Sequence, residues 1–200
     1  LLQVRDGRWF STSVPGWPLA LAPFAALGVP WLLNPLLAGL SVLLAYRIAL
    51  RRLGRDQADL VALMMASSPW LLAAAASLMP HTLTLTLMLF GWWMVIRAEG
   101  AGRAGRRLFA AGLAFGWIFL TRPLDGLILG GLTGVWVLAG PRGSVARAAV
   151  YGAGCVATGA LLLLHNLAMT GSPLRMALSD YLDAHWAPGA NAFGFGPAIG

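Results

Sequence analysis

The chain has 200 residues, of which 58% are hydrophobic and 10% charged, with a formal net charge of +7. Its apolar residues fall in long blocks rather than short alternations, which excludes a soluble core and makes the chain an integral membrane protein. All 14 basic residues are arginine and no basic and aromatic cluster suggests nucleic-acid binding, so the charge is read as a matter of membrane topology.

The first stretch, "DGRWFSTSVPGWPLALAPF", combines Arg8, Trp9 and Phe10 with a "VPGWP" turn, which predicts an ordered segment outside the membrane. Residues 17–28 are too short and too broken by proline for a span, so they are expected to form an interfacial or half-buried helix. Residues 1–30 are therefore assigned to the end of a non-cytoplasmic loop and this helix.

A bilayer core of about 30 Å needs roughly 20 apolar helical residues, fewer where neighbours shield a short helix. Six blocks meet or approach that length: 31–48, 60–77, 81–97, 108–121, 124–140 and 147–169. The expected fold is an all-α membrane protein, a polytopic helical bundle over 31–169 with about six transmembrane helices, followed by a non-cytoplasmic loop over 170–200. Within the blocks, Gly112 and Gly116, and Gly126, Gly130 and Gly134, recur every four residues, the spacing that lets helix backbones approach closely in lipid. Trp9, Trp17, Trp31 and Trp70 fall near the predicted interfaces, where an amphipathic ring is stable. Cys155 has no partner, so neither a disulfide framework nor a cysteine metal site is available.

The arginines alternate between loops. Four lie in 47–55, four in 97–107 and two in 142–147, against one in 121–125 and none in 77–81. The positive-inside rule puts the first three loops in the cytoplasm and the remaining ones on the opposite face. Arg5, Arg8, His81, Arg122, Asp125, Asp180, Asp183 and His185 are then all expected at the non-cytoplasmic surface.

Two stretches there carry unusual polarity. In "FLTRPLDGLILGG", Pro123 ends one helix near Thr121 and starts the next, leaving Arg122 at the break and Asp125 in the first turn of the new helix. A carboxylate at that position is stabilised by free amide groups, which explains Asp125 structurally. Arg122 is costly at the membrane surface unless it snorkels or finds an anion, so it either seals the turn with Asp125 or holds a lipid phosphate or pyrophosphate. In "SLMPHTLTLTL", His81 starts a helix with Thr82 and Thr86 behind it. It could bind a sugar hydroxyl, shuttle a proton or ligate a metal, or could be an interfacial residue without a task. No HExxH, DxD-type carboxylate cluster, GxSxG, P-loop or GxGxxG occurs, which leaves metalloprotease, serine esterase, ATPase and dinucleotide readings without support.

Four segments, "GRWFSTSVPGWPLALAPFAALGVPWLLNPLLAGL", "SPWLLAAAASLMPHTLTLTL", "GLAFGWIFLTRPLDGLILG" and "HNLAMTGSPL", resemble bacterial membrane glycosyltransferases of the C-type (GT-C) superfamily, related to the protein O-mannosyltransferases and the aminoarabinose transferases of lipid A. The resemblance implies an inverting transfer of sugar from a polyprenyl-phosphate donor to a glycan, lipid or protein acceptor. It places the reaction at the outer face of the bacterial cytoplasmic (inner) membrane, with membrane lipid as a further partner. Arg122, His81, Arg8 and Asp125 are the candidate substrate-binding residues. The family's acidic residue in the first non-cytoplasmic loop has no match in "VRDGRW", where Asp6 is the one acid. The chain, which opens on Leu1, is accordingly expected to be a piece of a longer protein with its principal catalytic acid upstream. No metal ligand set or cofactor is indicated, and a divalent metal is left open.

Two other classes compete: a transporter or flippase, which would require charged groups in mid-span or an inverted repeat, and a non-catalytic scaffold subunit whose loops bind a partner.

Overall fold

The structure, a computed structural model, describes residues 2–5, 8–11, 13–100 and 102–185. The chain divides into two compact units, one formed by 16–159 and the other by 1–15 with 160–200.

The larger unit opens with helix α1 (Gly16–Ala26), whose apolar sequence carries Pro23 inside it. The helix stops at Gly28, which takes φ 76°, while the Val29 amide reaches back to the Phe24 carbonyl. This is the left-handed closure that glycine permits without steric cost. A single 3-10 turn (Pro30–Leu32) leads into α2 (Leu33–Arg52). Helix α3 (Arg55–Ala66) follows a turn through Gly54, and α4 (Pro69–Ala75) is bent from it by 55°. The bend falls at Ser67 and Ser68, where Pro69 cannot continue the α3 hydrogen-bond ladder and the Ser68 hydroxyl accepts from the Leu71 amide. Helices α5 (His81–Ala98), α6 (Ala104–Thr121), α7 (Pro123–Ala139) and α8 (Val145–Thr170) complete the series.

The six apolar blocks thus become α2, the bent pair α3 and α4, α5, α6, α7 and α8. Two of them, 30–52 and 145–170, are each long and apolar enough to cross a bilayer, and the bent pair makes a third if it is one span. That number is smaller than the six expected. Helix α7 has 17 residues, or about 26 Å at 1.5 Å per residue. Helix α5 starts on His81, carries three threonines and ends beside Arg97, which dilutes its apolar character. Polar groups facing neighbouring helices do not have to face lipid, so individual hydropathy understates such helices.

Side-chain distribution identifies the solvent. Helix α7 buries Gly126, Gly130 and Thr133 and leaves Leu124, Leu127, Leu132 and Val135 exposed. Small residues inward and large aliphatic ones outward is the arrangement expected in lipid, where close backbone approach and not water exclusion drives association. The fold is an all-helical membrane protein.

Helix α6 lies at the centre of the larger unit. Leu108, Ala111, Phe115 and Ile118 are buried in one cluster with Val95 of α5, Val137 of α7 and Tyr151 of α8. A methyl group on Gly112 would overlap the Tyr151 carbonyl oxygen, and one on Gly116 the Cys155 carbonyl and Thr158 hydroxyl oxygens. Across the same contact, a methyl on Gly154 would overlap the Phe109 carbonyl. The four-residue glycine spacing therefore serves helix packing, as its period suggested. Thr158 also donates from its hydroxyl to the Leu113 carbonyl at 2.9 Å.

In the smaller unit, antiparallel strands β1 (Leu2–Arg5) and β2 (Arg8–Ser11) pair with Val4 opposite Trp9. This hairpin departs from the otherwise helical reading and gives the ordered N-terminal segment its form. The unit also contains the end of α8 and helix α9 (Ala177–His185). Gly171 closes α8 with φ 76°, and the Asn166 amide donates to the Pro173 carbonyl at 3.1 Å.

Replacing Gly116 by leucine is expected to lower the thermal unfolding midpoint of the detergent-solubilised protein, since overpacking costs about 1–3 kcal/mol. At Gly131, by contrast, a methyl group would meet no atom within 4 Å. Gly131→Leu should therefore not lower the midpoint, and equal losses at the two positions would contradict the packing assigned to Gly116.

Candidate functional site

The site is built at the end of the larger unit where α2 and α5 begin and α6 gives way to α7. Arg122 has φ −145° and ψ 89°, an extended conformation imposed by the following proline, between the last residue of α6 and Pro123. The amide of Arg122 still closes α6 on the Ile118 carbonyl at 2.6 Å, while its carbonyl accepts from the Gly126 amide at 2.9 Å and opens α7. One residue thus ends one helix and starts the next. Gly126 is required where the two helices diverge, because a methyl there would overlap the Phe119 backbone.

The guanidinium of Arg122 has two partners. Its Nε lies 3.0 Å from Oδ2 of Asp125, an i,i+3 ion pair in the first turn of α7. Its Nη1 lies 3.4 Å from Nδ1 of His81. Guanidinium nitrogens only donate, so Nδ1 is the acceptor in this contact. The third nitrogen, Nη2, has no hydrogen-bond partner among the described residues, and the Arg122 side chain is 43% exposed. The ion pair seals the turn and aims the fork without occupying it.

Trp70 of α4 stands on another side of His81, with ring centroids 6.4 Å apart and planes inclined by 56°. The histidine thereby sits in contact with both an exposed indole and a cation. Sequence reading placed Trp70 only in the interfacial aromatic belt, since nothing local to "SPWLL" indicates that α4 brings it to His81.

Asn34 positions the histidine turn and was missed altogether. Its side chain is 1% exposed and donates through Nδ2 to the carbonyls of Ser77 at 2.5 Å and Met79 at 3.0 Å. Its Oδ1 accepts a short hydrogen bond from the Thr82 hydroxyl. The start of α2 is in this way bonded to the chain immediately before and after His81. Thr86, one turn further along α5, shares a 2.8 Å hydrogen bond with Ser41 of α2. Thr82 and Thr86 therefore join α2 to α5 in a buried polar seam and do not extend the exposed site. The signal in the sequence was a lone asparagine inside an apolar block, an expensive position unless its amide is fully bonded.

On α6, the Trp117 indole donates to the Gly16 carbonyl at 3.1 Å, which holds the beginning of α1 beside the α6 terminus. A methyl on Gly16 would overlap the Thr121 hydroxyl, so the approach of α1 is as close as glycine allows.

Of the four candidates, Arg122, His81 and Asp125 come together. Arg8 lies in β2 of the other unit, and its side chain is outside the described residues. Asp6, and the side chains of Arg5, Asp180, Asp183 and His185, are likewise outside them. Among the described residues no three of His, Cys, Asp and Glu converge.

A partly exposed guanidinium with one nitrogen unpartnered among the described residues, next to a histidine, can hold an oxyanion and a neighbouring hydroxyl. The flanking indole offers an apolar face of the kind on which a sugar ring packs.

Removing the Asn34 amide leaves the Ser77 and Met79 carbonyls without their donor. Asn34→Ala is expected to cost about 1–3 kcal/mol of stability and to speed amide exchange in the 77–82 turn more than in α8. Uniform exchange changes across the protein, or none at the turn, would refute its positioning role.

Neither the comparison with curated proteins nor that with solved structures gives a match. The family described as dolichyl-phosphate-mannose-protein mannosyltransferase matches residues 20–168. That span covers the helices α2 to α7 in full, including the turn that carries His81 and the break that carries Arg122, and so the chain belongs to this family of GT-C membrane glycosyltransferases.

Proposed function

We propose that the protein transfers a sugar from a polyprenyl-phosphate donor to an acceptor hydroxyl at the non-cytoplasmic face of the bacterial inner membrane, with Arg122 holding the donor phosphate. The observation that carries this reading is the Arg122 fork, aimed by Asp125, in contact with His81 and without a partner at Nη2 among the described residues. Family membership supplies the reaction class. The arginine distribution supports the orientation, because the loops richest in arginine lie at the other ends of α2, α5 and α7.

In the proposed step, the acceptor oxygen attacks the anomeric carbon as the bond from that carbon to the phosphate oxygen breaks, inverting the centre. Polyprenyl phosphate departs with the bonding electron pair. The hydroxyl proton passes to a carboxylate, expected from the resemblance to lie in the first non-cytoplasmic loop. The donor phosphodiester carries one negative charge and the departing phosphate gains a second. A fixed guanidinium therefore binds the transition state more tightly than the ground state, which is the condition for catalysis. Asp125 acts on Arg122 by orientation, fixing Nε so that the rest of the fork faces a single direction. His81 contributes Nε2–H to a phosphate oxygen or sugar hydroxyl, and Trp70 a face for the sugar.

The test is transfer of radiolabelled sugar from a panel of polyprenyl-phosphate donors by membranes carrying the full-length protein. Arg122→Ala should lower turnover by about two orders of magnitude, comparable to loss of a preorganised oxyanion donor. Arg122→Lys should recover part of that loss, since lysine restores the charge but not the planar fork. Unchanged turnover and donor affinity in a folded Arg122→Ala protein would remove the residue from the reaction and return it to a structural turn.

A further inference from the structure

The opposite end of the larger unit contains a cavity of about 500 Å³ that the transfer reaction does not use. Four arginines line it, Arg51 and Arg52 from the end of α2, Arg142 from the α7–α8 turn and Arg147 from the first turns of α8, against a single carboxylate, Glu99. Its remaining wall includes Val95, Trp136 and Val137. The volume falls within the range of roughly 300–1,000 Å³ typical of small-molecule sites.

Part of this charge is already engaged. Nη2 of Arg52 meets both Glu99 oxygens, at 2.7 and 2.8 Å, and Nη2 of Arg147 donates to the Ala98 carbonyl at 3.1 Å. These contacts neutralise the acid and satisfy the carbonyl end of α5, where a cation is favoured. Arg51 and Arg142 have no ion-pair or hydrogen-bond partner among the described residues, and the Nε of Arg147 is buried without one. Topology alone would be served by arginines on any loop, as Arg55, Arg103 and Arg106 show by lying outside the cavity. Here arginines from three separate elements converge on one concavity with an apolar side, and three of them, Arg51, Arg142 and Arg147, have no counter-charge among the described residues.

We infer that this cavity binds a phosphate group, with Arg51, Arg142 and Arg147 as its donors and Trp136 and the two valines flanking the organic part of the ligand. Guanidinium forks suit the geometry of phosphate oxygens. A basic pocket between helices at the headgroup level of a membrane selects anionic lipid, while free phosphate shares the same recognition chemistry. The site stands at the other end of the bundle from Arg122 and does not depend on the assignment of the donor.

Affinity should be measured on the purified full-length protein in a zwitterionic detergent, by titrating short-chain phosphatidylglycerol, short-chain phosphatidylcholine and inorganic phosphate against the thermal unfolding midpoint. Saturable stabilisation by phosphatidylglycerol above that by phosphatidylcholine is expected, weakened at least tenfold in R51Q/R142Q. Because neither arginine has a partner among the described residues, the double variant should fold, and its midpoint without ligand checks this. Comparable stabilisation by inorganic phosphate, lost in the same variant, would identify a site that also accepts the free anion. R103Q/R106Q, which removes equal charge outside the cavity, should bind as the wild type does. Equal weakening in the two double variants would reveal diffuse charge attraction and overturn the proposal, as would wild-type protein that responds to neither anionic probe.

Discussion

The arrangement of this bundle depends on how closely other helices can approach α6. In lipid there is no water to expel from between helices, so their association rests on surface fit and on contacts between backbones. Gly112, Gly116 and Gly154 remove the side chains that would hold α6 and α8 apart, and Gly16 does the same where α1 meets the α6 terminus. Larger residues then fill the spaces that remain, with Phe115 set against Gly91 of α5 and edge-on to Tyr151, whose ring centroid is 6.0 Å away. Once α6 is confined from these sides, the position of its last residue is confined too, and Arg122 is attached directly to that residue.

A second constraint brings His81 to the same place. The contact between α2 and α5 is lined by Asn34, Ser41, Thr82 and Thr86, each buried and each hydrogen-bonded. Such groups have few alternative partners when a helix shifts in an apolar medium, so they specify register more sharply than aliphatic contacts do. Asn34 adds bonds to the Ser77 and Met79 carbonyls, which extends that specification from the helix into the turn before His81. The contact between His81 and Arg122 therefore joins two independently positioned elements. Its 3.4 Å length and partial exposure suit a pair that can part to admit a ligand oxygen between them.

The extent to which all this was legible in the sequence follows the range of the interactions. Proline at 123 and aspartate at 125 act within one turn, so the helix break and the ion pair could be read locally, as could the four-residue glycine period. The all-helical membrane fold followed from block hydropathy, although the number of individually competent spans is lower than the blocks suggested because α5 and α7 owe their places to neighbours. Asn34 and Trp70 were invisible as site residues. Each reaches the histidine turn through tertiary contact, Asn34 from 43 and 45 positions away from its carbonyl partners, and neither carries a local motif. The N-terminal hairpin was anticipated as order but not as strands, since "LQVR" and "RWFS" are too short to show an alternating pattern.

The two ends of the larger unit use the same residue type under opposite conditions. At the α6–α7 break a single arginine is held by one carboxylate, so a phosphate arriving as proposed would meet one directed fork. At the other end four arginines line a cavity with one glutamate, which pairs with Arg52 alone, and excess charge rather than orientation dominates. A directed single cation favours a reaction in which the bound group changes charge and then leaves, because its attraction responds to that change without becoming too strong to release the product. A cluster with surplus charge favours retention of an anion whose charge stays constant. The two proposed phosphate sites are thereby separated by the length of the helices, about 27 Å for the 18 residues of α5. Over that distance, several Debye lengths at physiological ionic strength, charges at the aqueous surfaces are largely screened from one another. An arginine excess at one end can therefore be large without distorting the phosphate binding proposed at the other.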